Sequence, residues 1–327
     1  MKQSQNAKNL FRSDAMQRLM AFSALIVLFI GFSIASPYFR TFDNFVGILL
    51  ATAVNGILAL GATFVIITAG IDLSVGTAMT FSAVMTGVFI TNMGLPIPVG
   101  VLGGITAGAV VGLTNGLLIS RMKIPPFIAT LGMLYVTKGL SLVISELKPI
   151  YFNDTPAFRQ IAMGSVTGEI IPGFEIPNAV WILFGAAFIA HIILTKTILG
   201  RYTFALGSNM EAARLSGVNV TAWLTAVYVL AGVFTGIGGV LMAARLNSAQ
   251  PALGAGYELD AIAAVVIGGT SLSGGEGSIL GTIIGAFIIS TLTNGLRIMS
   301  VPQEWQLVVT GAIVILAVFL DILRRRR

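Results

Sequence analysis

The sequence contains no cysteine and a single histidine, His191, in 327 residues. Without cysteine there is no disulfide framework, zinc–thiolate site or iron–sulfur cluster, and one histidine gives no basis for a histidine-ligated metal. Charge is also scarce: 10% of the residues are Asp, Glu, Lys or Arg. Soluble domains carry about 25%, so this chain has too little polar surface to cover a water-facing globule. That excludes a soluble enzyme. A phosphate-cradling Gly-x-x-x-x-Gly-Lys-Ser/Thr loop is missing as well, so ATP hydrolysis by that device is not expected of this chain.

What is present is apolar. Hydrophobic residues make up 56% of the chain, glycine contributes 38 positions and the mean hydropathy is +0.93. Crossing a hydrocarbon core of ~30 Å by helix takes roughly 20 apolar residues. Ten apolar segments meet or approach that pattern: Leu19–Ser36, Phe45–Ala69, Ser74–Asn92, Ile97–Ile119, Phe127–Ser145, Ala179–Leu194, Trp223–Ala244, Leu259–Thr270, Ser278–Leu296 and Trp305–Leu323. Leu259–Thr270 is too short to cross alone. The first segment exceeds the ~7–15 residues of a signal-peptide core and reads as a retained span. The expected fold is an all-α polytopic membrane protein with about ten transmembrane segments, some of them broken or short, and an internal parallel repeat.

The basic residues set the expected sidedness. With a cytoplasmic N-terminus, thirteen Lys and Arg residues, from Lys2 to the tail Arg324–Arg327, fall inside and five fall outside, while Lys138 lies within a span. That asymmetry satisfies the positive-inside rule. The net charge of +6 therefore reads as contact with an anionic inner leaflet, not with nucleic acid. The chain divides into a cytoplasmic segment 1–18, a permease domain 19–323 and a basic tail 324–327. The domain carries a long external loop at 147–178 and a long internal one at 196–221. Lys138 reads as snorkelling toward an interface, and His191 as an interfacial or packing residue.

Two glycine-rich stretches repeat at an offset of 199 residues: Gly70-Ile-Asp-Leu-Ser-Val-Gly76 and Gly269-Thr-Ser-Leu-Ser-Gly-Gly275. Each follows an apolar run and breaks a helix. Irregular backbone at membrane depth survives only where protein or a water-filled cavity satisfies its polar groups, so paired breaks point to a translocation pathway. Tight turns at the inner interface are the alternative. Asn55, Thr68, Asp72, Ser74, Thr270, Ser271 and Asn294 are the small polar pathway candidates, and Glu258 and Asp260 either brace a helix end or line that pathway. The glycines at 103, 104, 108, 112, 232, 236, 238 and 239 read as close helix packing.

The internal loop holds Ser208-Asn-Met-Glu211-Ala212-Ala213-Arg214-Leu-Ser-Gly217. Ser208 is expected to cap a short helix, with Glu211 closing a capping box and Gly217 stopping it. The Glu-Ala-Ala-x-x-x-Gly spacing resembles the motif by which permeases of ATP-binding-cassette importers dock on their ATPase subunits. The blocks Gly200–Val220 and Ala244–Leu272, read with Gly70–Gly76, resemble the ribose-type sugar permeases of that class, and the likeness runs from about Leu19 to Asp321. Glu276 departs from it, standing where a basic residue is expected.

The resemblance implies a homodimer in the bacterial inner membrane with both termini cytoplasmic, two ATPase domains below and a periplasmic sugar-binding protein above. ATP and magnesium would be held by the ATPase, leaving this chain without a cofactor. The resemblance also places Glu211, Ala212, Ala213 and Gly217 in the docking helix, beside Ser208 and Arg214. A monosaccharide is the implied cargo, ribose first, with another sugar, autoinducer-2 or branched-chain amino acids as alternatives. An ion-coupled secondary carrier is the rival of a different class.

Overall fold

The computed structural model describes residues 14–325. Lys2, Lys8, Arg12, Arg326 and Arg327, which entered the charge asymmetry, lie outside the described residues. The chain begins with helix α1 (Asp14–Ala35), a 3-10 turn at Pro37–Arg40 and α2 (Phe42–Ile67). Helix α3 (Val75–Gly87) runs on into a π-helical turn, Val88–Asn92, and is followed by α4 (Ile97–Ser120) and α5 (Pro126–Ile144). The segment 147–178 contributes β1 (Ile150–Tyr151), α6 (Pro156–Met163) and α7 (Val166–Ile170). Then come α8 (Asn178–Lys196), α9 (Ile198–Ser208), α10 (Met210–Leu215), α11 (Val220–Leu246) and β2 (Ser248–Ala249). Helices α12 (Tyr257–Ile267), α13 (Ile279–Ile298) and α14 (Gln303–Arg325) complete the chain. It is an all-α polytopic membrane protein.

Helix starts follow local chemistry. Thr41 accepts from the Asn44 N–H at the head of α2, Asn219 from Ala222 at α11 and Ser278 from Gly281 at α13, each satisfying a donor that the first turn leaves free. Prolines open α4 and α5, where the missing N–H costs nothing.

Among the described residues seven helices are long and apolar enough to cross a membrane, from Phe42–Ile67 to Ile279–Ile298. That is fewer than the ten expected. The difference lies in α1 and α14, whose apolar stretches Leu19–Ala35 and Gln303–Leu316 are shorter, and in the eleven-residue α12.

Helix α2 forms the centre, with Ala53, Ile57, Leu58 and Leu60 fully buried. Helix α11 packs on α2, α3 and α4. Its contact with α4 is made by backbone: a Cβ at Gly108 would land on the Gly232 carbonyl and the Gly236 backbone, and one at Gly112 on the Tyr228 carbonyl. The four-residue glycine spacing thus brings two helices together as the sequence suggested, since only dispersion and polar contacts hold helices together in lipid. By contrast α4, α5 and α8 expose Leu102, Val110, Phe127, Val143, Phe188 and Ile189, faces suited to hydrocarbon. Lys138 and His191 are exposed on such helices.

The segment 147–178 folds back onto the bundle instead of standing free. Its Phe152 and Phe158 are fully buried with ring centroids 4.2 Å apart, and α6 packs on α8 and α11. The two strands pair antiparallel, Ile150 opposite Ala249 and Tyr151 opposite Ser248.

Candidate functional site: two helix breaks and a docking loop

The two glycine-rich breaks are built alike. Helix α2 ends with Ala69 in the left-handed region (φ 60°) and α12 with Gly269 in the same region (φ 92°). The Ala69 N–H donates to the Ile66 carbonyl at 2.9 Å and the Gly70 N–H to Val65 at 3.1 Å. In the other break the Gly269 N–H donates to Val266 at 2.9 Å and the Thr270 N–H to Val265 at 3.1 Å. Both close the orphaned carbonyls of a helix end in Schellman fashion.

A side chain then turns each segment. Asp72 Oδ1 accepts from the Ser74 N–H at 2.8 Å and from the Ser74 hydroxyl at 2.6 Å, and Asn115 Nδ2 donates to Ser74 Oγ at 2.9 Å. At the corresponding place Ser271 Oγ accepts from the Ser273 N–H at 3.0 Å. These i to i+2 turns satisfy backbone that the helices leave unpaired. Asp72, Ser74, Thr270 and Ser271 are all buried. Asp72 thus closes the turn at its break through both bonds to Ser74. Thr68 is buried too, but its hydroxyl bonds its own helix at Val65.

Five of the seven pathway candidates therefore gather at the breaks, and two do not. Asn55 sits twelve residues before the end of α2, and Asn294 sixteen residues beyond the start of the α13 region at Ser278. At a 1.5 Å rise those separations are roughly 18 Å and 24 Å. Asn294 Oδ1 is nevertheless buried without a partner, as is the Thr270 hydroxyl. Glu258 and Asp260 stand in the first turn of α12, where a carboxylate is favoured by the helix dipole. Glu258 Oε1 accepts from the Gly256 N–H at 3.1 Å.

The breaks meet the segment 196–221 at one place. The Gly275 N–H donates to the Ile67 carbonyl at 2.9 Å, tying the second break to the end of α2. Gly207, near the end of α9, lies against both: a Cβ there would fall on the Ile67 carbonyl oxygen and come within 2.6 Å of the Gly275 nitrogen. A Cβ at Gly274 would sit 2.8 Å from the Gly207 oxygen and 3.0 Å from Ala69. Sequence inspection missed Gly207, because a glycine in a polar loop gives no sign of the backbone packed on it.

Three residues beyond Gly207 begins α10, and its cap corrects the expectation. Asn209 caps the helix by accepting from the Ala212 N–H at 2.9 Å, while Ser208 is the last residue of α9. Asn209 is the extended residue at that junction (φ −163°), the geometry a cap requires. Glu211 closes no capping box; it pairs with Arg214 at 2.6 Å on the exposed side. Gly217 is the left-handed stop as expected (φ 86°), with the Val218 N–H donating to the Ala213 carbonyl at 3.1 Å. Ala213 is buried, whereas Glu211, Ala212 and Arg214 are exposed and Leu215 is 80% exposed. A six-residue helix is marginal without packing, so α10 offers an unpartnered surface on a loop seated against both breaks.

Comparison with known proteins agrees with a transport reading. Residues 44–318 match the family model described as branched-chain amino acid transport system / permease component. The chain is 43% identical over 315 residues to a ribose import permease protein of Bacillus subtilis (strain 168), covering 96% of this chain and 95% of the relative. It is 40% identical over 301 residues to the ribose import permease protein of Escherichia coli (strain K12), covering 91% of each. A fructose import permease protein of Rhizobium meliloti is 37% identical over 303 residues, covering 91% of this chain and 82% of the relative. No solved structure matches the chain.

Proposed function

The chain belongs to the branched-chain amino acid transport system / permease component family, and from that premise we propose that it is the membrane subunit of an ATP-binding-cassette importer for ribose. The observation that carries the substrate is likeness to ribose import permeases over nearly the full length of both chains. The family description names branched-chain amino acids, but the similar proteins at 37–43% identity carry sugar names, ribose, fructose, galactose and allose. Sugar is the reading they support.

In this proposal two copies of the chain enclose the pathway, with both termini cytoplasmic, residues 1–18 and 324–327 at the inner surface, and lipid around α4, α5 and α8. All ten apolar segments are embedded, α12 as a half-length helix, and the two breaks are equivalent points of a parallel duplication. The similar construction of the Ala69–Ser74 and Gly269–Ser273 turns supports that duplication. A periplasmic binding protein delivers the sugar to the outer face.

Energy enters through the partner ATPase, which holds ATP and magnesium. Its closure displaces α10, with Glu211, Ala212, Ala213, Arg214 and Gly217 forming the docking element behind Ser208. Gly207 passes the displacement to the end of α2 and to the second break. Sugar meets only transient hydrogen bonds from Ser74, Thr270 and Ser271, so release is not slowed.

The docking role has a direct test. Glu211→Lys reverses the charge on an exposed face and breaks a surface pair worth only ~0.2–1 kcal/mol. The importer carrying it is expected to insert and fold normally, yet to lose D-ribose uptake and its stimulation of ATP hydrolysis. Normal uptake in inverted or right-side-out vesicles would remove the docking assignment.

A further inference from the structure

Helix α11 connects the docking loop to the opposite face of the bundle. Its 27 residues span roughly 40 Å at 1.5 Å per residue, starting at Val220 just after α10 and ending at Leu246. Where it ends, Asn247 turns the chain in the left-handed region (φ 52°), and β2 pairs with β1. Ile150 and Ala249 point inward and pack over Gly87, which has no Cβ to obstruct them. The ribbon is thereby fixed on α3, and Tyr151 is held opposite Ser248 with its ring half-exposed.

Over this ribbon opens a cavity of about 600 Å³ lined by Tyr151, Leu246, Ser248, Gln250, Ala252 and Leu253. That volume lies within the ~300–1,000 Å³ range of small-molecule sites. Gln250 Nε2 donates to Ser248 Oγ at 2.9 Å, which orients the amide and leaves its Oε1 free to accept. Beside the cavity Asn247 Nδ2 donates to Asn153 Oδ1 at 3.3 Å, while Asn247 Oδ1 is buried without a partner. The Ser248 hydroxyl is buried and donates in turn to the Leu246 carbonyl at 3.3 Å, so what the mouth offers is the ring of Tyr151 and the oriented amide of Gln250 with its free oxygen.

No lining residue is charged. An amino acid zwitterion would arrive with two charges and find no counter-charge, and burying unpaired charge is costly. A neutral polyol brings hydroxyl donors for the free Gln250 amide oxygen and a C–H face for the ring of Tyr151. We infer that this mouth, at the end of α11 remote from the docking loop, is an entry subsite for a monosaccharide, held by Tyr151 and by Gln250, which Ser248 orients, before it reaches the breaks. The inference rests on the proposed sugar-import function and adds to it a site in this chain with its own preference.

The test uses the purified full-length chain in detergent, without binding protein, and saturation-transfer NMR with D-ribose and L-leucine as probes. Wild-type chain is expected to give a D-ribose signal and none from L-leucine. Gln250→Leu and Tyr151→Ala each weaken apparent D-ribose binding roughly fivefold, the scale of one lost hydrogen bond or ring contact. Tyr151→Phe, which preserves the ring and guards against misfolding, retains at least half of the signal. A D-ribose signal that is absent in wild type, or unchanged in Gln250→Leu and Tyr151→Ala, overturns the subsite. Uptake by the complete importer separates the two claims: D-ribose transport without a D-ribose signal sinks the subsite alone, whereas L-leucine transport with an L-leucine signal sinks the sugar function.

Discussion

The first break and the second share a backbone design and differ in what holds them. At Asp72 a carboxylate oxygen accepts two hydrogen bonds from Ser74, and Asn115 of α4 reaches in to fix the same hydroxyl. At Ser271 a single hydroxyl accepts one bond. The Thr270 hydroxyl beside it has no partner. Gly274 and Gly275 follow in the left-handed region (φ 82° and 77°). The first break is fastened by side chains, its own and that of Asn115; the second is fastened by backbone, with the Ser271 N–H donating to the Glu276 carbonyl at 3.1 Å and the Gly275 N–H to Ile67 at 2.9 Å, and it lies against Gly207. That contrast teaches that two helix breaks of similar backbone geometry can be held by different means, one by polar side chains and the other by contacts between backbone segments.

The comparison breaks most sharply at their shared junction. Gly207→Ala places a methyl group on the Ile67 carbonyl, where backbone and not a flexible side chain must yield. Overpacking of this kind costs about 1–3 kcal/mol or more. Uptake is expected to disappear and thermal stability in detergent to fall; a variant that transports normally would show that the two breaks do not move with the loop.

Next in size is the brace. Asp72→Ala leaves the Ser74 N–H and hydroxyl without their acceptor and is expected to cost ~1.5–3 kcal/mol. Asp72→Asn retains Oδ1 as acceptor and loses less. Unfolding of the solubilised chain followed by circular dichroism measures both, and equal losses would show that the carboxylate acts as more than a turn brace. The smallest effect belongs to Ser271→Ala, which removes one hydrogen bond within a turn, worth ~0.5–1.5 kcal/mol. If Ser271→Ala proves as damaging as Asp72→Ala, the second break depends on its side chain as much as the first does.

Much of this arrangement is legible in the chain itself. The apolar segments locate the helices because a hydrocarbon solvent tolerates little else, and the glycine spacing on α4 and α11 announces the close crossing at Gly108 and Gly232. Gly217 reads correctly as a stop, since its φ of 86° suits glycine. The cap does not, because Ser208 and Asn209 are adjacent residues of similar capping power. Only the extent of α9 decides between them. The meeting of Ile67, Gly207 and Gly275 is invisible for another reason: it joins three segments far apart in sequence through backbone atoms that every residue carries. The mouth beside Tyr151 and Gln250 likewise needs the pairing of β1 with β2, and a two-residue strand leaves no periodic signal.

The central claim is that the pathway lies in this chain and the driving force does not. Proteoliposomes holding the purified chain, with and without its ATPase subunit and liganded binding protein, test it through accumulation of D-ribose against a gradient. Accumulation is expected only when the ATPase and ATP are present, and an imposed proton or sodium gradient should not replace them. Uphill uptake by the chain alone, collapsing with an ion gradient, would contradict the account and make the protein an ion-coupled carrier.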